Sequence, residues 1–132
     1  MIVDTSVWID FFNNHGSAYA RRLAQAIEDG EQIAVPGLVL TETLLGLRSD
    51  AAALKIAQLM EAFDWVPEPA RTDYLQAAAL YRHCRSRGTT IRSTIDCLIA
   101  RLCIRDDQPL LAKDRDFEQI KKHSGLRLVS VS

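Results

Sequence analysis

The chain has 132 residues, 48% hydrophobic and 25% charged, with a formal net charge of −1, which predicts one globular domain over residues 1–132 and does not by itself indicate a nucleic-acid partner. No apolar run approaches the roughly 20 residues of a membrane span and no cationic, then apolar leader begins the chain, so we expect no membrane segment and no signal peptide. The odd cysteine count, Cys84, Cys97 and Cys103 without C-x-x-C spacing, excludes a disulfide framework or structural zinc and predicts a reducing, cytoplasmic compartment.

Short apolar runs alternate with helical patterns along the whole chain. Buried strands are predicted at residues 1–3, 33–35, 65–66, 110–112 and 126–129. Helices are predicted at residues 7–12, 17–30, 38–47, 50–63, 71–87, 94–104 and 117–122. Ser17 and Asp50 are the expected caps of the second and fourth helices. Strands alternating with helices are typical of an α/β fold, here a short central parallel sheet flanked by helices on both faces.

The positive charge is concentrated in the segment 71–105. This segment holds seven Arg and two acids, a charge of +5, whereas the remainder holds nine basic and fifteen acidic residues, a charge of −6. A basic segment within a mildly acidic protein is suited to a phosphate backbone. The alternative is that these arginines lie on solvated helix faces or near helix C-termini, where the helix dipole favours them.

Asp4 stands where the first strand must end and the first helix begins. In open α/β sheets ligands bind just beyond the carboxyl ends of the strands, so a carboxylate there is placed where chemistry is usually done. The alternative is that Asp4 caps the helix. Asp114 follows the predicted strand 110–112 and so has the same relation to the sheet as Asp4.

Two further acids lie on apolar helical patterns. Glu42 has Leu38 and Leu45 on its own helix face, where burial is costly unless the carboxylate is paired or metal-bound; the alternative is a position at the edge of that face. Asp96 begins a helix, and its alternative role is a capping box with Ser93.

Asp116 begins the run DFEQ, which fits a capping-box pattern. This pattern places the helix start after Asp114, and we therefore expect an extended chain from 114 to 116. Side chains two residues apart on an extended chain point the same way, so both carboxylates would reach one site. A helix beginning at Asp114 would instead separate them.

Clustered carboxylates repel one another unless a cation neutralises them. Oxygen ligands suit a hard cation such as Mg²⁺ or Mn²⁺. Mg²⁺ keeps bound water, and one such water can attack a phosphodiester. The spacing alone does not establish that these acids converge.

The order of MIVDTSVWID, TETLLG, TIDCLIA and LLAKDRDFEQI resembles PIN-domain ribonucleases, and within them the VapC-type toxins of bacterial toxin–antitoxin pairs. The resemblance covers essentially the whole chain. It implies a PIN-like fold, a Mg²⁺- or Mn²⁺-dependent endoribonuclease, a homodimer and a VapB-type antitoxin that blocks the site. It also implies an acidic cluster with a hydroxyl beside the metal, formed by Asp4, Glu42, Asp96, Asp114, Asp116 and Ser6.

Within this cluster, we expect Asp4 and Asp96 to hold the metal directly and the other acids to act through bound water. Ser6 would orient water or a ligand carboxylate. Arg92 lies four residues before Asp96 and is a candidate to bind the RNA phosphate, with an exposed, uninvolved side chain as the alternative. A candidate antitoxin surface, or else ordinary core, is formed by Leu54, Ala57, Met60 and Phe63.

Two other functions are weighed against this one. A phosphoacceptor receiver module also has an acidic pocket and a late lysine, here Lys113, but it needs an Asp after a central third strand and an acidic pair after the first strand, where Thr5 and Ser6 stand. A PIN-fold protein that binds RNA or a partner without cutting is the second alternative, and the complete acid set argues against it.

Overall fold

A computed structural model describes all 132 residues and contains seven helices and four strands. The strands are β1 (Ile2–Val3), β2 (Ala34–Val35), β3 (Asp64–Trp65) and β4 (Leu110–Leu111). The helices are α1 (Thr5–Phe12), α2 (Ala18–Glu28), α3 (Gly37–Leu45), α4 (Asp50–Met60), α5 (Arg71–Ser86), α6 (Thr94–Arg105) and α7 (Arg115–Lys122). None of these helices combines the length and apolar character that crossing a lipid bilayer requires.

The four strands form one parallel sheet in the order β3-β2-β1-β4. Ile2 of β1 pairs with Ala34 on one side and Leu110 on the other. The predicted α/β class with a short parallel sheet is therefore confirmed. Since β1 and β4 are neighbours, the residues that follow them leave the sheet side by side at its carboxyl edge.

The predicted fifth strand at 126–129 is wrong. This segment contributes an isolated parallel bridge between Leu128 and Leu110, on the side of β4 away from β1, and the two segments pair at that one position. Leu126 is nevertheless buried, which explains the apolar pattern that suggested a strand.

Two helix starts are set by serine hydroxyls. Ser17 Oγ accepts a 3.0 Å hydrogen bond from the Ala20 N–H and caps α2 as predicted. The cap of α4 is Ser49 and not Asp50, because Ser49 Oγ accepts a 3.1 Å hydrogen bond from the Ala52 N–H. Asp50 is instead the first residue of α4, where its negative charge interacts favourably with the helix dipole.

The core is a single cluster that includes Trp8 and Phe117, both fully buried. Trp8 packs against Phe12 and Phe63, with ring centroids 5.7 and 5.1 Å apart. The predicted apolar face of α4 is divided: Met60 is buried in the core, whereas Leu54 is 61% exposed. All three cysteine thiols are buried and unpaired.

Part of the basic segment serves the fold. Asp73 on α5 is only 2% exposed and accepts hydrogen bonds from Arg101 Nε at 3.1 Å and Arg105 Nη1 at 2.9 Å, both on α6. The Ala70 backbone N–H, followed by these guanidinium groups, lowers the pKa of Asp73 despite its burial. These two arginines therefore join α5 to α6. Four others form no ion pair, namely Arg71, Arg82, Arg85 and Arg87.

Candidate metal centre

Asp4 lies between β1 and α1 at the carboxyl edge of the sheet. Its N–H donates to the Leu111 carbonyl at 2.9 Å, which fixes its backbone beside β4. Asp4 occupies the N-cap position of α1, as the alternative predicted, but its side chain makes no capping hydrogen bond and is left for other partners. Its Oδ2 accepts a 3.0 Å hydrogen bond from Ser6 Oγ. Burial, the largest influence, raises the pKa of Asp4 although the Ser6 hydroxyl opposes the shift.

Glu42 is half-buried on α3 and faces the first turn of α1. Thr5 Oγ1 donates a 3.0 Å hydrogen bond to Glu42 Oε1. Leu45 is 76% exposed, so the apolar face inferred for α3 is only partly covered. Sequence reasoning missed Thr5 as a positioning residue, although a hydroxyl next to Asp4 was the available signal.

Asp96 is in the first turn of α6 and is half-buried. The capping box that was its alternative role is not formed, since Ser93 makes no side-chain cap and the Asp96 N–H donates to the Ser93 backbone carbonyl at 3.2 Å. The Asp96 carboxylate therefore does not cap the start of its own helix. Carboxylate oxygens of Asp96, Asp114 and Asp116 all lie within 4.8 Å of one another.

The predicted extended conformation from 114 to 116 is wrong. Asp114 is the N-cap of α7, because its Oδ1 accepts a 2.9 Å hydrogen bond from the Asp116 N–H, and the helix begins at Arg115. This short contact competes successfully with the predicted box at Asp116. The helical start does not separate the two carboxylates, which both remain near Asp96.

Arg92 contacts both acids of this pair. Its Nη2 donates to Asp114 Oδ1 at 3.1 Å and its Nε donates to Asp116 Oδ2 at 3.3 Å. Its backbone N–H also donates to Asp116 Oδ2, at 2.9 Å. The Arg92 side chain is 73% exposed, as the alternative predicted, but it is not uninvolved, because it contacts both acids.

The cluster carries more negative charge than its protein partners neutralise. Burial, and then the charges of Asp4, Asp114, Asp116 and Glu42, raise the pKa of Asp96 from 3.8 to about 7. Arg92 is the basic residue that forms ion pairs with these acids. A site rich in carboxylate oxygens and short of positive charge has the donor set that a hard divalent cation takes, and the residues present fit such an ion.

Lys113 does not belong to this cluster. Its Nζ donates to Asp10 Oδ2 on α1 at 2.7 Å. β3 lies at one edge of the sheet and not at its centre. Both observations remove the basis of the receiver-module alternative.

Comparisons with known proteins agree with this architecture. A model of the PIN domain family matches residues 1–123. The chain is 30% identical over 131 residues to VapC ribonuclease Mb1587 of Mycobacterium bovis and to ribonuclease VapC11 of Mycobacterium tuberculosis, covering 98% of this chain and 98% of each relative. The crystal structure of VapBC2 from Rickettsia felis, bound to a DNA fragment from their promoter, matches with a TM-score of 0.76 and 18% identity over 99% of this chain and 98% of that one. At that identity the structural likeness shows a shared fold.

Proposed function

The chain belongs to the PIN domain family, and we propose that it is an endoribonuclease that requires Mg²⁺ or Mn²⁺ and cleaves RNA phosphodiester bonds. One observation carries the proposal: carboxylate oxygens of Asp96, Asp114 and Asp116 lie within 4.8 Å of one another, and burial, then the charges of the surrounding acids, raise the pKa of Asp96 to about 7. The relatives that share 30% identity with the chain are named ribonucleases, which supports RNA as the substrate.

The divalent ion would be held directly by Asp4 and Asp96, and through water by Glu42, Asp114 and Asp116. When bound, such an ion polarises a water molecule for attack on phosphorus and offsets the charge that develops on the phosphate. The carboxylates can hold it only when ionised, so Asp96 must give up its proton first.

The remaining side chains orient these acids and the substrate. Ser6 fixes one oxygen of Asp4, and Thr5 fixes one oxygen of Glu42. Arg92 carries guanidinium N–H groups beyond those that contact Asp114 and Asp116, and these donors are suited to phosphate oxygens. Its contacts place that guanidinium beside the acids where the scissile phosphate would lie.

Cleavage of single-stranded RNA by the purified protein, with and without excess EDTA, tests this function. We expect Mg²⁺- or Mn²⁺-dependent cleavage. Asp96→Asn removes a proposed direct ligand, so we expect it to lose more activity than the roughly 100-fold that loss of an outer-shell partner of a metal ligand can cost. Asp107→Asn, an exposed acid outside the cluster, is the matched control and should retain full activity. Undiminished cleavage in EDTA contradicts the metal requirement, and binding without cleavage by the wild type would favour the non-cleaving alternative.

The same proposal extends to partners. We infer that the chain is the toxin of a VapBC pair, forms a homodimer and is inhibited by a VapB-type antitoxin in the cytoplasm. Structures of similar fold are VapBC complexes, and three unpaired buried thiols suit a reducing compartment. Size-exclusion chromatography of the purified chain tests the homodimer.

Induction of the wild-type chain in bacteria, beside Asp96→Asn and Asp107→Asn, tests the toxin. We expect growth arrest with the wild type and Asp107→Asn, and normal growth with Asp96→Asn. Normal growth despite abundant folded wild-type protein would contradict the toxin function and leave the ribonuclease function standing.

A further inference from the structure

A cavity of about 320 Å³ lies between α5 and α6. Its lining is mainly apolar, and the residues that matter here are Ala78, Tyr81 and Arg82 on α5 and Thr94 and Ile95 on α6. This volume is at the lower end of the range of small-molecule sites, about 300–1,000 Å³. We call it the α5–α6 cavity.

The α5–α6 cavity shares the first turn of α6 with the candidate metal centre. Ile95 lines it and Asp96 is the next residue, so their Cα atoms are about 3.8 Å apart. Ile95 and Tyr74 also line a neighbouring groove of about 620 Å³ whose wall includes Glu42. Tyr74 and Ile95 therefore line two neighbouring recesses: the wall of the groove includes Glu42 of the acidic cluster, and the wall of the cavity includes the residue before Asp96.

The other border of the cavity is basic. Arg82 lines both the α5–α6 cavity and an adjoining shallow surface with His83 and Arg85. The Arg85 guanidinium lies 5.8 Å from the centroid of the Tyr81 ring. Neither arginine forms an ion pair within the chain, so their charges are available to an anionic ligand.

We propose that the α5–α6 cavity binds one nucleobase of the RNA strand next to the cleaved bond, and that Arg82 and Arg85 bind the phosphates beyond it. Single-stranded RNA is bound by stacking unstacked bases on aromatic or apolar side chains while cations follow the backbone. The order acid cluster, apolar cavity with an aromatic wall, basic surface matches scissile phosphate, base and next phosphate. The unpaired cations at the border of the cavity favour an anionic strand as its occupant over a second copy of this chain.

This inference rests on the proposed ribonuclease function, and its test measures binding separately from cleavage. In an Asp96→Asn background with Mg²⁺, fluorescence anisotropy compares a labelled uridine pentamer with an abasic ribose-phosphate pentamer of equal length. Gel analysis confirms that both probes stay intact. Ala78→Trp fills the cavity, with Ala78→Leu as the smaller second variant, and Ala24→Trp on the exposed side of α2 is the matched control. Arg82→Gln tests the cation, with Arg21→Gln on α2 as its control.

We expect Ala78→Trp to weaken uridine pentamer binding about tenfold, the range of one lost base stack, and to change abasic pentamer binding less than about twofold. Ala78→Leu should have a smaller effect in the same direction. Arg82→Gln should weaken both probes equally, by about threefold, since it removes a phosphate contact. Melting temperatures close to that of the background protein would confirm that each variant is folded.

Unchanged uridine affinity in folded Ala78→Trp and Ala78→Leu overturns the inference. An equal loss for both pentamers also overturns it, because the base would then not be what the cavity binds. A changed oligomeric state with an unchanged uridine-to-abasic ratio would identify the cavity as an interface between copies instead. If the wild type cleaves RNA in any of these cases, the proposed function stands and this inference alone fails.

Discussion

Thr5 and Glu42 are joined by a hydrogen bond from the first turn of α1 to α3, in which Thr5 Oγ1 donates to Glu42 Oε1 at 3.0 Å. Because Thr5 directly follows Asp4, this contact fixes Glu42 relative to the backbone that carries another acid of the cluster. The orientation of Glu42 is therefore set by a residue 37 positions away in the chain.

Thr5→Val should reduce RNA cleavage about tenfold, because Glu42 loses the donor that orients it while the shape of the side chain is kept. Thr41→Val, next to Glu42 but exposed on α3, is the control and should cleave normally. Single-turnover cleavage rates measure the effect. A wild-type rate in Thr5→Val would show that this hydrogen bond does not position Glu42 for catalysis.

The raised pKa of Asp96 predicts the pH dependence of stability without metal. The pKa of Asp96 is 3.8 in the unfolded chain and about 7 in the folded protein. Between these two pH values the folded protein holds a proton that the unfolded chain has released. Stability should therefore fall as the pH rises through this window. Asp96→Asn should melt above the wild type at pH 8 and show a weaker pH dependence, with Asp107→Asn as control. A metal-free wild type that becomes more stable from pH 5 to 8, by the same amount as Asp96→Asn, would contradict this.

Asp114 and Asp116 should share one role. Each single Asn substitution should reduce cleavage about tenfold, because the other carboxylate remains near Asp96. The double substitution should be as inactive as Asp96→Asn. Since Asn can also cap a helix, Asp114→Asn should keep α7 intact. Cleavage rates for the four variants decide it: one inactive single mutant beside a fully active one would show that the role is not shared.

Arg92→Ala should strengthen Mg²⁺ binding and weaken RNA binding. Its guanidinium occupies oxygens of Asp114 and Asp116, so its removal leaves more negative charge for the ion and one less donor for the phosphate. Isothermal titration with Mg²⁺ and anisotropy with RNA measure the two effects. Arg115→Ala, the exposed neighbour of both acids with no ion pair, is the control. Changes in Arg92→Ala opposite to those expected, or equal changes in Arg92→Ala and Arg115→Ala, would refute a specific role of Arg92.

Lys113→Met should destabilise the fold, because it leaves the buried Asp10 carboxylate without its cation. Since water partly screens the pair, we expect a loss of only about 1–2 kcal/mol. Burial acts to raise the pKa of Asp10, but the Lys113 hydrogen bond and other favourable contacts outweigh it and lower the pKa below 3.8. The wild-type contribution is thus complete above that value and lost as the pH falls through the folded pKa. Urea unfolding at pH 7 measures the loss, with exposed Lys55→Met on α4 as control.

Local pattern predicted the architecture and singled out four of the candidate acids, and the resemblance to PIN-domain ribonucleases grouped them into one site. Alternating apolar runs and helical periods predicted the parallel sheet, because each element must bury one face against another. Asp4 and Asp114 were found because a polar residue after a buried strand must lie at the sheet edge. Asp96 and Glu42 stood out because an acid on an apolar helical pattern is costly without a partner.

Only the tertiary structure decided the contacts that cross the chain. Asp10 and Lys113 are 103 positions apart, and no local pattern relates them. The start of α7 depended on whether Asp114 accepted the Asp116 N–H, as it does, or Asp116 capped the following turn with its own side chain, two local arrangements that differ by little free energy. Residues 126–129 had a strand's composition but met β4 at one bridge, since pairing needs a neighbour in register as well as apolar side chains. The repulsion among the acids of the cluster likewise depends on the distances between them. Those distances are set only once α3, α6 and the two strand ends have packed together.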